Sequence, residues 1–296
     1  MNIEGRGLDY SRLYFVSFAS GAKCWNRALS RLAREVSQSY PSAHFLKIDK
    51  KQVGEFAEGL GVDFWEFTER YPKGYGLWMW KPIVAQLALS RVPEGDFLFF
   101  LDAGSSINPS MNARPRLLQY LDVLDKTNFL FFELALQERI WTKKSVIRHF
   151  DLRIEHQYSG QRVGGIFGLK ASEDSRNLLR SWVQAATLDS GYLLLDPDSN
   201  DLEDSDFMAH RQDQSLLSVL TKSLGIQALP DETYFEDDWF EKGDEFPFWA
   251  TRKCSGTPIC AGLGEFQRFI FSVERRISTF RHQQTITNHL FLRKSP

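Results

Sequence analysis

The sequence predicts an α/β fold, a mostly parallel sheet flanked by helices, and three observations carry that expectation. Phe97–Leu101 is a run of five apolar residues without polar alternation, the pattern of a strand buried on both faces. Residues 13–19 and 43–48 read as strands separated by a stretch of helical spacing. Such a β-α-β opening favours parallel pairing with right-handed crossovers. The alternation of strand-like and helix-like segments continues to about residue 170, as in a Rossmann-like domain.

The first strand ends at Ser20-Gly21, after which Ala28, Leu29, Leu32 and Val36 recur at helical spacing. The second ends at Asp49, and a polar, helix-compatible stretch runs to Arg70. The motif Gly74-Tyr-Gly-Leu-Trp-Met-Trp-Lys-Pro82 comes next. Pro82 suits the first position of a helix whose apolar face is Val84, Leu87 and Ala88. That helix leads into Phe97–Leu101, and residues 129–132 and 163–169 read as further short buried strands. From residue 196 to 245 the chain is acidic and loop-like, interrupted by one helical segment over about Gln212–Ser223. Further on, Phe266, Phe269, Ile270, Val273 and Ile277 fall at helical spacing with Arg268, Arg275, Arg276 and Arg281 between them. A basic amphipathic helix of this kind docks on its own domain or, over residues 266–281, lies on an anionic membrane surface. The expected organisation is a main domain over 1–245 and a helical and loop C-terminal extension over 246–296, packed on it.

A formal net charge of -2 over 296 residues argues against a nucleic-acid partner, since nothing globally basic is present to neutralise a phosphate backbone. The 24 Phe and 8 Trp supply both core and flat platforms for sugar rings or bases. Cys24, Cys254 and Cys260 have no pairing logic and no metal-ligand spacing, and an odd count suits a reducing compartment. Residues 1–9 are too polar for a signal peptide. No apolar run approaches the roughly 18 residues of a membrane span. The expectation is a cytoplasmic protein, with any membrane contact peripheral.

Four polar clusters carry candidate chemistry. Asp102 follows the buried strand directly and opens the turn Gly104-Ser105-Ser106. In open α/β sheets ligands sit outside the carboxyl ends of the strands, so a carboxylate there is a site candidate as well as a turn former. It can accept from a ribose or hold a divalent cation, although Ala103 and Gly104 stand where a second carboxylate would help. Trp78, Trp80 and Lys81 form the second cluster: a lysine at a helix start attracts anions and the indoles can stack, or both tryptophans are simply core and Lys81 a surface residue. The third, Trp141-Thr142-Lys143 behind Glu138 and Arg139, reads as a charged loop. The fourth, His210-Arg211-Gln212-Asp213-Gln214-Ser215, is dense polar chemistry at a helix start. Asp213 there is either a candidate general base or a helix-dipole partner.

In this order the clusters resemble bacterial nucleotide-sugar-dependent glycosyltransferases of the GT-A type. The resembling pieces are Tyr14-Phe-Val-Ser-Phe-Ala-Ser20, the Gly74–Pro82 motif, Phe99-Phe-Leu-Asp-Ala-Gly104, Trp141-Thr-Lys143, Gln161-Arg-Val-Gly-Gly165 and His210-Arg-Gln-Asp-Gln-Ser215. The resemblance implies a GT-A domain that transfers a sugar from a nucleoside diphosphate sugar to a hydroxyl of a glycan or lipid-linked acceptor, in bacterial surface glycan synthesis. It places Ser17 and Ser20 near the nucleotide, Asp102 at the Asp-x-Asp position, and Gln161, Gly164 and Gly165 along the acceptor cleft. Asp213 and Gln214 face the donor sugar, with Asp213 the catalytic candidate. Mn²⁺ or Mg²⁺ on Asp102 is the implied cofactor, set against the missing second carboxylate. Lys81, Lys143 or Arg211 would neutralise the leaving diphosphate in its place. The competing expectations are a non-catalytic nucleotide- or glycan-binding module of the same fold, and a metal-dependent phosphohydrolase lacking its second acidic strand end.

Overall fold

A computed structural model describes residues 9–198, 202–236 and 238–254. The chain enters strand β1 (Leu13–Ser17), turns at Gly21, and forms helix α1 (Lys23–Ser39) before strand β2 (His44–Lys47). Asp49 then caps α2 (Lys50–Glu58) in a reciprocal box with Gln52, and Asp63 caps α3 (Phe64–Arg70). A one-turn segment, α4 (Gly74–Leu77), leads to α5 (Trp80–Leu89). Pro82 is thus the third helical residue rather than the first, still within the turn whose N–H groups have no intrahelical acceptor. Strand β3 (Phe97–Leu101) and the short β4 (Ser106–Ile107) follow, then α6 (Arg114–Thr127), which ends on left-handed Asn128.

The apolar run 129–132 divides between two sheets, as β5 (Phe129–Leu130) and β6 (Phe132–Gln137). Three single-turn or two-turn helices come next: α7 (Glu138–Trp141), α8 (Lys144–His149) and α9 (Ile154–Gln157). Strands β7 (Gly160–Arg162) and β8 (Ile166–Lys170) precede α10 (Glu173–Thr187). The described chain closes with α11 (Gln212–Ser223), β9 (Leu229–Pro230) and β10 (Phe248–Trp249).

The central sheet has the order β2-β1-β3-β8-β5. Strands β2, β1 and β3 are parallel, β8 runs against β3, and β5 runs against β8, so four of the five strands share one direction. Period-two alternation explains how β3 can be apolar throughout. Phe97, Phe99 and Leu101 face α1 and α6, packing with Phe15, Leu32, Tyr120 and Phe248. Leu98 and Phe100 face the other layer, with Ile83, Val84, Trp182 and Leu216 from α5, α10 and α11. The second sheet is β7-β6-β9, and β10 pairs antiparallel with β4. Residues 248–254 therefore return to the sheet's rim: Phe248 sits 5.0 Å from Phe99, ring to ring, and Thr251 Oγ1 donates to the Gly104 carbonyl at 2.8 Å.

Residues 203–206 of the acidic stretch are pinned to the main domain's α7 and α8. Asp206 pairs with Arg139 at 2.5 Å, Asp204 with Lys144 at 2.7 Å, and the Glu203 carboxylate accepts from the Lys144 amide at 3.1 Å. The cysteine expectation needs correction. Cys24 and Cys254 are joined by a disulfide across a separation of 230 residues, Cα to Cα 5.4 Å, because the β10 segment is brought back beside the start of α1. The inference of a reducing compartment loses its premise. No helix among the described residues is long and apolar enough to cross a membrane. The amphipathic pattern over residues 266–281 lies outside the described residues.

Candidate functional site

The carboxyl ends of β1 and β3, the amino end of β8 and the start of α11 meet at one place. Because β8 is reversed, the residues that lead into it, Gly164 and Gly165, lie at the same rim as Asp102. The Asp102 amide donates to the Gly165 carbonyl at 2.8 Å, and the Ser105 amide closes the turn onto the Asp102 carbonyl at 2.8 Å. A Cβ on Gly165 would stand 2.6 Å from Asp102 Oδ2, and one on Gly164 would stand 2.8 Å from Gln214 Cβ. Both glycines are required by close approach to side chains of the site.

Lys81 is the centre of the arrangement. Its Nζ lies 3.2 Å from Asp102 Oδ1, 2.9 Å from Asp213 Oδ2 and 3.1 Å from the Gly164 carbonyl. The Gly164 carbonyl accepts a hydrogen bond from Lys81, the two carboxylates meet it as ion pairs, and Asp213 Oδ2 is buried without a hydrogen-bond partner. The Lys81 and Asp213 side chains are 4% and 5% exposed, while Asp102 keeps 41% of its side chain accessible. Burial works against the Lys81 charge, but Asp102 and Asp213 together hold it above the usual lysine range. For Asp213 burial wins over Lys81 and pushes the carboxyl up to about 6, with Asp102 adding to the rise. Enclosure also raises Asp102 against the pull of Lys81, but water reaches its accessible oxygen and blunts the effect.

Asp213 reaches this position through a strained backbone. Gln212 has φ +41, an uncommon conformation for a side chain of its size, and its side-chain Nε2 donates to Asp196 Oδ1 at 2.9 Å. Behind α11 lies a wholly enclosed network. Glu138 accepts from Thr142 Oγ1 at 2.6 Å and Gln161 Nε2 at 3.2 Å, and from Ser218, and it pairs with Lys222 at 2.8 Å. Gln161 also bonds Ser215 at 3.2 Å and receives Gln214 Nε2 at 2.7 Å. This network fixes the face of α11 that carries Asp213 and Gln214.

Several sequence expectations change here. Trp141-Thr142-Lys143 is not a solvated loop: Thr142 and Lys143 are buried, and Lys143 Nζ donates to the Tyr192 carbonyl at 2.7 Å. His210 is buried as well, its Nε2 2.9 Å from the Leu193 carbonyl and its Nδ1 3.5 Å from the Lys143 amide, which selects the Nε2–H tautomer. Burial, then the charge of Lys143, pushes this imidazole down to about 3, so it is neutral and structural. Gln161 is enclosed in the network rather than lining a cleft. Trp80 is core, 4.7 Å from Phe18 and bonded through Nε1 to the Gly74 carbonyl at 2.9 Å, whereas Trp78 is half-buried on a left-handed backbone, φ +60. Lys81 and Lys143 turn their ammonium groups inward, to the Gly164 and Tyr192 carbonyls. The Arg211 guanidinium lies 4.4 Å over Trp141 and pairs with no carboxylate among the described residues.

The freedom of Gly104 serves the chain itself, since a Cβ there would stand 3.1 Å from Arg252 Cα. Ser105 is buried and its carbonyl accepts from Arg31 at 2.9 Å. Ser17 Oγ, at the end of β1, is buried without a hydrogen-bond partner, and Ser20 is half-buried just beyond.

Sequence reasoning missed Arg31, Glu35, Trp25 and Arg252. Fully buried, Arg31 donates to Ser106 Oγ at 2.6 Å and to the carbonyls of Ala103 at 3.0 Å and Lys253 at 3.3 Å, and pairs with Glu35 at 3.3 Å. It thereby buttresses the Asp102 turn from behind. A signal was present, since Arg31 and Glu35 fall among the apolar positions Ala28, Leu32 and Val36 that face the core. Trp25 is 37% exposed, and its ring lies 3.3 Å from the point a Gly104 Cβ would occupy.

The donor set fits a tightly held divalent cation poorly. Both carboxylates face one ammonium, and the described residues contain no group of three His, Cys, Asp or Glu able to hold a metal.

No protein-family model matches this sequence, and no curated protein does. Solved structures similar at a low level include two glycosyltransferases. One is a glycosyltransferase involved in the glycosylation of the major capsid of PBCV-1, 11% identical, TM-score 0.42, over 90% of this chain and 98% of that one. The other is mouse xyloside xylosyltransferase 1 in its apo form, 13% identical, TM-score 0.38, over 84% and 94%. Likeness of this degree says nothing about activity.

Proposed function

We propose that the protein is a glycosyltransferase that moves a sugar from a nucleoside diphosphate sugar to an acceptor hydroxyl, on a glycan or lipid-linked acceptor of a bacterial surface glycan. The observation that carries the reading is the Lys81 clamp on Asp102 and Asp213 at the carboxyl ends of parallel strands. In this reading Asp102, the accessible carboxylate, accepts from the ribose or sugar hydroxyls. Asp213, oriented by Lys81, holds the reacting sugar beside Gln214. The buried, unpartnered Ser17 hydroxyl at the end of β1 supports a ligand at this rim.

The test is a panel of nucleotide sugars with release of the nucleoside diphosphate as readout. One donor is expected to be turned over, and turnover is expected to persist in excess chelator because basic side chains replace a metal. Abolition by chelator with rescue by Mn²⁺ would overturn the metal-free part. A donor that binds but is never cleaved would establish the second reading, a binding module of the same fold. That reading is favoured by Asp213 being committed to Lys81 rather than free to act as a base.

Asp213→Asn is expected to reduce transfer at least about a hundredfold, in the range of a lost acid-base or electrostatic group, with donor affinity changed far less. Equal losses in both would reduce Asp213 to a support of its helix. Since burial raises the Asp213 carboxyl to about 6, the wild-type rate is expected to climb as pH rises through 6, and the asparagine variant to lack that inflection. Folding responds with the opposite sign. The native state holds this proton more tightly than the unfolded chain, so Asp213 makes stability fall as pH rises from 3.8 to about 6, with no further change above.

A further inference from the structure

Two left-handed stretches of chain close on one phenylalanine. Gly74, Tyr75, Gly76, Leu77 and Trp78 all have positive φ, from +50 to +79, just before α5. Asp189, Ser190 and Gly191 follow α10 with φ +45, +55 and +86. Tyr75, Leu77, Trp78, Asp189 and Ser190 carry side chains that disfavour this conformation, so packing around them must impose it. Phe67 of α3, 6% exposed, supplies that packing. A Cβ on Gly76 would stand 3.3 Å from its Cδ1, and one on Gly191 would stand 2.8 Å from its Cε2 and Cζ. The ring is wedged between the two turns, and each closes on it through a glycine.

Each turn leads to one half of the buried ion pair. The Lys81 amide donates to the Trp78 carbonyl at 2.9 Å, and Trp80 Nε1 to the Gly74 carbonyl at 2.9 Å, so the first turn of α5 hangs on the first stretch. Beyond Gly191, the Tyr192 carbonyl accepts from Lys143 at 2.7 Å and the Leu193 carbonyl from His210 at 2.9 Å. Asp196 then accepts at 2.9 Å from Gln212, the residue before Asp213. We propose that Phe67 is a positioning residue of the site: wedged between the two turns, it holds Lys81 and Asp213 at their 2.9 Å separation. Its value for catalysis rests on the transfer reading above, whereas the coupling of Phe67 to the ion pair does not. Asp213 is faced by Lys81 from α5 and by Asp102 from the end of β3, and of these two charges only Lys81 favours the ionised carboxylate. The pair is already in contact, so loosening the wedge can only lengthen it and let burial raise the Asp213 carboxyl further.

The experiment is a carboxyl NMR titration of the full chain, with the Asp213 signal assigned by Asp213→Asn, alongside kcat and KM for a donor that the wild type turns over. Phe67→Leu is expected to move the Asp213 midpoint upward from about 6 by about half a pH unit or more. It is expected to lower kcat about ten- to a hundredfold, the cost of a small misplacement made at a distance, with KM within about twofold. Phe67→Met, which conserves volume without the rigid ring, is expected to fall between, and it carries the test if Phe67→Leu does not fold. Leu117→Ala, at a fully buried position of α6 in the sheet's other layer, is the control for lost stability alone. It is expected to lower the melting temperature and leave the Asp213 midpoint in place. A midpoint unmoved in a folded Phe67 variant, or moved equally by Leu117→Ala, would overturn the proposal. Turnover of a donor with an unmoved midpoint sinks this inference alone. A midpoint that moves with Phe67 while no donor is turned over by the wild type sinks the transfer reading alone.

Discussion

Lys81→Met is expected to lower folding stability by about 3–5 kcal/mol and to abolish transfer, because it leaves Asp213 charged, buried and without its counter-ion. Lys81 is 4% exposed and Asp213 5%, so solvent does little to screen the loss. Asp102 would suffer less, with 41% of its side chain open to water. Urea denaturation at pH 8, above the wild-type Asp213 value of about 6, gives the magnitude, to which proton uptake by Asp213 in the variant contributes. Adding Asp213→Asn to Lys81→Met is expected to restore much of the stability and none of the activity, since the uncompensated charge disappears while the site stays broken. A change below about 1 kcal/mol in the single variant, typical of exposed pairs, would show that the clamp is solvated in solution.

Glu138→Ala is expected to be comparably severe and for a different reason. Glu138 and Lys222 both have 0% side-chain exposure, and Glu138 is the common acceptor for Thr142, Gln161 and Ser218 as well. Truncation strands an ammonium and three donors in the interior, at about 3–5 kcal/mol for the ion pair alone. Glu138→Ala with Lys222→Leu should recover a large part of that, whereas Glu138→Gln, which keeps an acceptor, should fall between. Transfer should decline in all three, because Gln161 would no longer be held where it receives Gln214 at 2.7 Å. Unchanged turnover in a folded Glu138→Gln protein would show that the network supports only the fold.

Local patterns carried the parts of this molecule that are local. The apolar run at β3 marked a strand with two buried faces, and Leu216, Leu217 and Leu220 behind Asp213 marked α11 at its observed bounds. Asp102 and Asp213 stood out as carboxylates at a strand end and a helix start. Their meeting through Lys81 was not visible, because it depends on how α5 and α11 pack on the sheet. Trp141-Thr142-Lys143 looked like a solvated loop because α7 spans only four residues, too few for a helical period to appear. Glu138 was passed over for the same reason. The disulfide joins residues 230 apart, and no periodicity reaches that far. Lys81 and Lys143, expected to face phosphates, turn their ammonium groups to the Gly164 and Tyr192 carbonyls, contacts that depend on tertiary packing. Arg252 escaped notice because the segment that bears it looked like an appendage.

The reversal of β8 determines which parts of the site can move. In a sheet whose strands all run one way, everything at the ligand-facing rim is a loop leaving the sheet. Here the reversed strand enters at that rim, and the Asp102 amide is bonded to Gly165 in continuity with the β3–β8 ladder. The floor beneath a ligand is therefore part of the slowest-exchanging core, and the Asp102 amide should show hydrogen-exchange protection close to that of β3 itself. Hydroxyls bound at Asp102 would meet a base held by the sheet itself.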